Sequence, residues 1–153
     1  MFYRTLWSLL LLSGVVFQDS ERKDLPVTWV ATVERVSPHD FMLRLDATLA
    51  PGWYIYAQTT TKSRGGPATR IAFDSEGEFI PVGTASESGD DLSYYDDVYE
   101  MILTRYADHV SFEQRILVPL PDIVVRATVH YVACNGHVCI PAEKRFNFHI
   151  KPE

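Results

Sequence analysis

Apolar residues recur at every second position through most of this chain, and this alternation constrains the fold more than any other feature. Val27, Trp29, Ala31 and Val33 share one face of a candidate strand. Phe41, Leu43, Leu45, Ala47 and Leu49 share another, with Arg44, Asp46 and Thr48 on the opposite side. Val125, Ala127, Val129, Tyr131 and Ala133 repeat the pattern late in the chain. A helix buries its apolar residues three and four apart, whereas a pleated strand buries every second one. Past the amino-terminal segment, no amphipathic helix of any length is legible.

Further runs fit the same period. Trp53–Gln58, Ile71 with Phe73, and Phe146 with Phe148 and Ile150 are strand-like. Phe79–Val82 is a short run holding Pro81, which places it at an edge. Met101–Tyr106 and Val110–Ile116 alternate again. The turn clusters SPHD, APG, SRGGP, ESGDD and PLPD separate the runs. About eight to ten short strands with such punctuation predict an all-β, two-sheet antiparallel sandwich, immunoglobulin-like in form. At 153 residues, one core suffices. The stretch TASESGDDLSYYDDVY, residues 84–99, is the least regular and reads as a solvated or functional loop.

The first residues, MFYRTLWSLLLLSGVVFQ, carry one charge, Arg4, before an apolar run from Leu6 to Phe17. That run is too short to span a bilayer, which takes roughly 20 residues. It reads as a secretory signal peptide over residues 1–18, leaving a sandwich domain over 25–153. The expected location is therefore periplasmic or secreted. The net charge of -6 and the lack of a basic stripe exclude nucleic acid as a partner class.

Cys134 and Cys139 are the only cysteines, and they flank the turn Asn135-Gly136-His137-Val138. Asn-Gly is a strong tight-turn pair, so a hairpin brings the two residues together. Cys134 lies on the face opposite Ala133 and Tyr131, which points it away from the core or to the end of the sheet. Three chemistries fit. A structural staple over so small a ring contributes on the order of 2 kcal/mol. A metal site could draw on His130, Cys134, His137 and Cys139, a set suited to zinc or copper if all four converge. A redox pair would exchange with another protein's disulfide, with His137 beside the thiols. Spacing alone leaves the staple and the redox pair level, with the metal site behind them.

Four motifs occur in order: GWYIYAQ (52–58), YYDDVYE (94–100), YADHVSF (106–112) and YVACNGHVCIPAE (131–143). Together they resemble the amino-terminal periplasmic domain of DsbD, the thiol:disulfide interchange protein, from about Leu25 to Ile150. The resemblance implies an immunoglobulin-like sandwich with a redox-active pair, Cys134 and Cys139. It implies flanking aromatics at Tyr54 and Tyr56, a proline after the pair at Pro141, and a cap loop at Asp96, Asp97, Val98 and Tyr99. It implies partners of the thioredoxin fold, a membrane-embedded electron donor, downstream proteins that include cytochrome c maturation factors, and no organic cofactor or metal. Cys139 is the sulfur implied to join the partner. Two departures stand out. Val98 occupies the position of a shielding phenylalanine, and Ala142 that of a second proline. The chain stops after the sandwich, which implies either a free-standing relative or a piece of a longer product. The rival from another class is a secreted binding module whose disulfide is purely structural.

Overall fold

The computed structural model describes residues 25–58, 67–74, 78–97, 100–119 and 122–151. The expected signal peptide lies outside them. Eight strands follow in order: β1 Val27–Ser37, β2 Asp40–Leu49, β3 Tyr54–Tyr56, β4 Arg70–Asp74, β5 Ile80–Asp96, β6 Met101–Leu117, β7 Ile123–Cys134 and β8 Cys139–Ile150. Every pairing is antiparallel. The order is β1-β2-β6-β3-β7-β4, with β5 added on β6 and β8 on β7.

One long strand makes one sheet into two layers. The carboxy-terminal half of β6 pairs with β2, from Thr48↔His109 to Asp40↔Leu117. Its amino-terminal half pairs with β3, at Arg105, Tyr106 and Ala107. Between the halves, Asp90 of β5 stands opposite Ala107, Asp108 and His109, because the register jumps from Gly89↔Val110 to Asp91↔Tyr106. Asp108 takes a positive φ of 59° at this bulge. A bulge bends and twists its strand, and the sheet curls over on itself there. The Trp29 ring on β1 packs 6.0 Å from Phe112 of its own layer, and 5.3 Å from Tyr131 and 6.1 Å from Phe146 of the facing layer.

The alternation on β2 and β7 is realised residue for residue: Phe41, Leu43, Leu45, Ala47, Leu49, Val125, Ala127, Val129, Tyr131 and Ala133 are all buried in the main core. On β1 only the first half obeys it. Val27 is buried and Trp29 packs on the core, but Ala31 and Val33 are exposed where the strand runs past the facing layer.

Residues 84–96 are a correction to the sequence reading. They form no loop but continue β5, which pairs with β6 from Ile80↔Leu117 to Asp96↔Met101. The strand is polar because it is an edge with both faces largely exposed, so its register comes from backbone pairing rather than from burial. Phe79–Val82 is accordingly not a separate short strand. The edge position expected from Pro81 holds.

Candidate functional site

β7 and β8 pair over their full length, ending at Cys134↔Cys139. The two residues form a disulfide with S–S 2.08 Å and Cα–Cα 4.1 Å. Asn135 builds the turn between them. Its side-chain oxygen accepts the N–H groups of His137 and Val138, each at 2.9 Å, and its own N–H donates to the Val138 carbonyl at 3.1 Å. Gly136 supplies the positive φ, 86°, that this turn requires.

The two cysteines live in different surroundings. Cys139 is exposed, and Cys134 is fully buried at 0%. The pleat does turn Cys134 away from the main core, but the opposite face of the sheet is covered at that point. There Cys134, Leu103 and Tyr56 form a second, smaller apolar cluster, with Tyr54, Tyr94, Met101 and Val132 packed against it.

Cross-strand register explains who meets whom. Tyr54 of β3 stands directly opposite Cys134. Ile55 between the two tyrosines faces the main core, so Tyr54 and Tyr56 share the cysteine side. Their rings meet edge to face, 5.7 Å apart at 81°. On β5 and β6, Tyr94↔Leu103 and Asp96↔Met101 are opposite pairs, which puts the far half of the β5–β6 hairpin over the same face. The guanidinium of Arg105 sits between the rings of Tyr54 and Tyr94.

Of the residues marked by the resemblance, Tyr54 and Tyr56 are at the pair. Asp96 is half-buried on the cysteine side, where the Tyr94 hydroxyl donates to its carboxylate at 3.4 Å. Asp97 and His137 are exposed at their turns. Val98 and Tyr99 lie outside the described residues. Pro141 stands opposite Val132, one same-face pair beyond the disulfide, on the free edge of β8. It lines an open groove of about 640 Å³ together with Pro67, Ala68, Val132 and Arg70. His130 of the candidate metal set is not brought to the cysteines. It faces Glu143 at 3.7 Å, four positions and so about 13 Å along the strand. Among the described residues no three His, Cys, Asp or Glu side chains converge on one point.

Leu103, Arg105 and Val132 were legible only as strand residues. Alternation placed Met101, Leu103 and Arg105 on one face, and no sequence signal matched that face to Tyr54 and Tyr56.

The hairpin is anchored at its middle. The Glu87 carboxylate accepts the backbone N–H of Gln58 at 2.8 Å, and Gln58 Nε2 donates to the Ala85 carbonyl at 3.1 Å. Tyr106 beneath is pushed up to about 12, first by burial and then by the charges of Glu87 and Asp91. Burial, and then the neighbouring Tyr94, also raise Tyr56. Below the ordinary tyrosine value of about 10, both residues are neutral in the folded and the unfolded chain. Between about 10 and 12 only the unfolded chain releases these protons, so stability falls as pH rises through that window. Urea unfolding followed against pH should show the fall, and Tyr106→Phe should flatten it. An unaltered slope in that variant would contradict the assignment.

Residues 22–150 match the family described as thiol:disulfide interchange protein DsbD, N-terminal. No curated protein matches the chain by sequence. Among solved structures, the N-terminal periplasmic domain of ScsB from Proteus mirabilis superposes with a TM-score of 0.54 at 20% identity. That match covers 80% of this chain and 51% of the other, so the chain spans about half of the ScsB domain. The reduced DsbD N-terminal domain of Neisseria meningitidis gives a TM-score of 0.49 at 16% identity, covering 80% of this chain and 90% of that one. The DsbD N-terminal domain in complex with the PilB N-terminal domain, from the same organism, gives 0.47 at 15%, covering 82% and 88%.

Proposed function

The chain belongs to the family of the DsbD amino-terminal domain, and from that premise we propose that Cys134 and Cys139 are its exchanging pair, in an exported module that passes reducing equivalents between thioredoxin-fold proteins. The observation that carries this reading is the asymmetry of the pair, with one cysteine exposed and its partner sealed. A structural staple has no need of such an arrangement, whereas an exchanging pair needs one sulfur that a partner can reach.

In the reduced module the Cys139 thiolate attacks the partner's disulfide. A Cys139–partner bond forms, the partner's own S–S bond breaks, and its second sulfur leaves with the electron pair and takes a proton. The Cys134 thiolate then attacks the Cys139 sulfur. The internal bond re-forms and the partner departs as a dithiol, having gained two electrons and two protons. Recharging is the reverse, with a reduced thioredoxin-like protein as donor, itself supplied by a membrane-embedded carrier. No organic cofactor or metal enters these steps.

Tyr54 and Tyr56 shield the buried sulfur, and their contacts within its cluster support that role. The cap role proposed for Asp96, Asp97, Val98 and Tyr99 is supported by the half-buried position of Asp96. His137 and Pro141 border the exposed cysteine, where a docking protein would meet them. The compartment proposed is the periplasm.

Trapping tests the reading. Cys134→Ala should hold mixed disulfides with periplasmic thioredoxin-fold proteins through Cys139, and Cys139→Ala should give at least about tenfold fewer. No adduct with either variant, together with a reduction potential below roughly -300 mV, would return the bond to a purely structural role.

A further inference from the structure

The cover over Cys134 is tied down by an arginine. Arg105 leaves β6 on the face that carries Leu103, and its guanidinium carbon lies 4.4 Å from the centroid of the Tyr54 ring and 4.9 Å from that of Tyr94. Both distances fall within the roughly 6 Å over which a cation is attracted to an aromatic face. The two rings come from strands that share no backbone pairing: Tyr54 is on β3, directly opposite Cys134, while Tyr94 is on β5, which pairs with β6. Each ring also packs on the cluster that encloses the Cys134 side chain. Arg105 therefore joins the ring beside the sulfur to the ring brought by the hairpin, next to Tyr56, which neighbours both rings. A planar guanidinium can stack on two faces at once, which a compact ammonium does poorly.

We infer that Arg105 is a positioning residue that confines exchange to Cys139: by holding both the Tyr54 and the Tyr94 ring on the cluster it keeps incoming sulfur away from Cys134. Its biological meaning rests on the exchange function proposed above, but the clamp itself is a matter of access to one sulfur.

Lone-thiol kinetics test it. Cys139→Ala leaves Cys134 as the single thiol, and Cys134→Ala leaves Cys139. Each is reacted with oxidised glutathione. The protein thiolate attacks one glutathione sulfur, a mixed disulfide forms, and one glutathione thiolate leaves and is protonated. Rates are extrapolated to full ionisation from their pH profiles, which separates access from thiol acidity. Adding Arg105→Ala should speed the Cys134 reaction by about tenfold, the loss of both ring contacts, and should change the Cys139 rate by less than about twofold. Arg105→Lys should fall between. An unchanged Cys134 rate overturns the inference. So does an equal rise at both sulfurs, which would mean general loosening. A thioredoxin-fold partner that forms no adduct would sink the exchange function and leave these rates as they are, so the two ideas fail separately.

Discussion

Leu103→Ala is expected to destabilise the protein by about 2–5 kcal/mol and also to open the route to Cys134. Leu103 is 0% exposed and packs in the small cluster with Tyr56 and Cys134, away from the main core. Truncation removes the apolar contacts it makes there and leaves a cavity on the side of the buried cysteine. Ile55 is the control. It is equally buried and belongs to β3, but it faces the main core. Ile55→Ala should lose a similar amount of stability in urea titration, while the reduction rate of the disulfide by a small thiol changes much less than in Leu103→Ala. Equal rate changes in the two variants would show that access to Cys134 follows global stability and that the small cluster has no separate role. Leu103→Met, which nearly conserves volume, should cost less than about 1.5 kcal/mol.

Gly89→Ala should cost about 1–3 kcal/mol and loosen the hairpin selectively. A Cβ on Gly89 would lie 2.6 Å from the His109 carbonyl oxygen, 3.0 Å from Tyr106 Cδ1 and 3.2 Å from Val110 Cα. Two of these atoms belong to the backbone of β6, at the bulge, and cannot swing aside. β5 must therefore lift from β6 beside the point where Glu87 holds Gln58. Hydrogen exchange should show lost protection at the amides of residues 91–96, with the β7–β8 pairing unaffected. Gly83 makes the comparison, since it has positive φ of 69° but nothing within 4 Å of an added Cβ. Gly83→Ala should carry only the local backbone penalty of about 1 kcal/mol and leave the hairpin tip protected. Gly89→Ala with wild-type stability and wild-type protection would mean that the close approach at the bulge does not hold the hairpin in place.

The two elements that build the site differ in how far the sequence discloses them. The β7–β8 hairpin is fully legible, because Asn135-Gly136 dictates a turn and alternation on either side dictates register. The β5–β6 hairpin is not. Its β5 strand is polar on both faces, so the periodicity that marks a half-buried strand is missing, and residues 84–96 look like a loop. Short-range pattern also left the exposure of Cys134 open. Period two correctly removed it from the main core, but whether the other face is bare depends on which strand crosses it.

Alternation and turn residues settled that this chain is an antiparallel β protein, which residues of β2 and β7 face the core, and that Cys134 and Cys139 meet across a turn, because those facts follow from a two-residue repeat and a four-residue loop. Tertiary structure decided that one cysteine is sealed and the other open. That difference arises where Tyr54 of β3 and Tyr94, Leu103 and Arg105 of the β5–β6 hairpin, all distant in sequence from Cys134, arrive on one face, and side-chain period carries no information about which strands become neighbours.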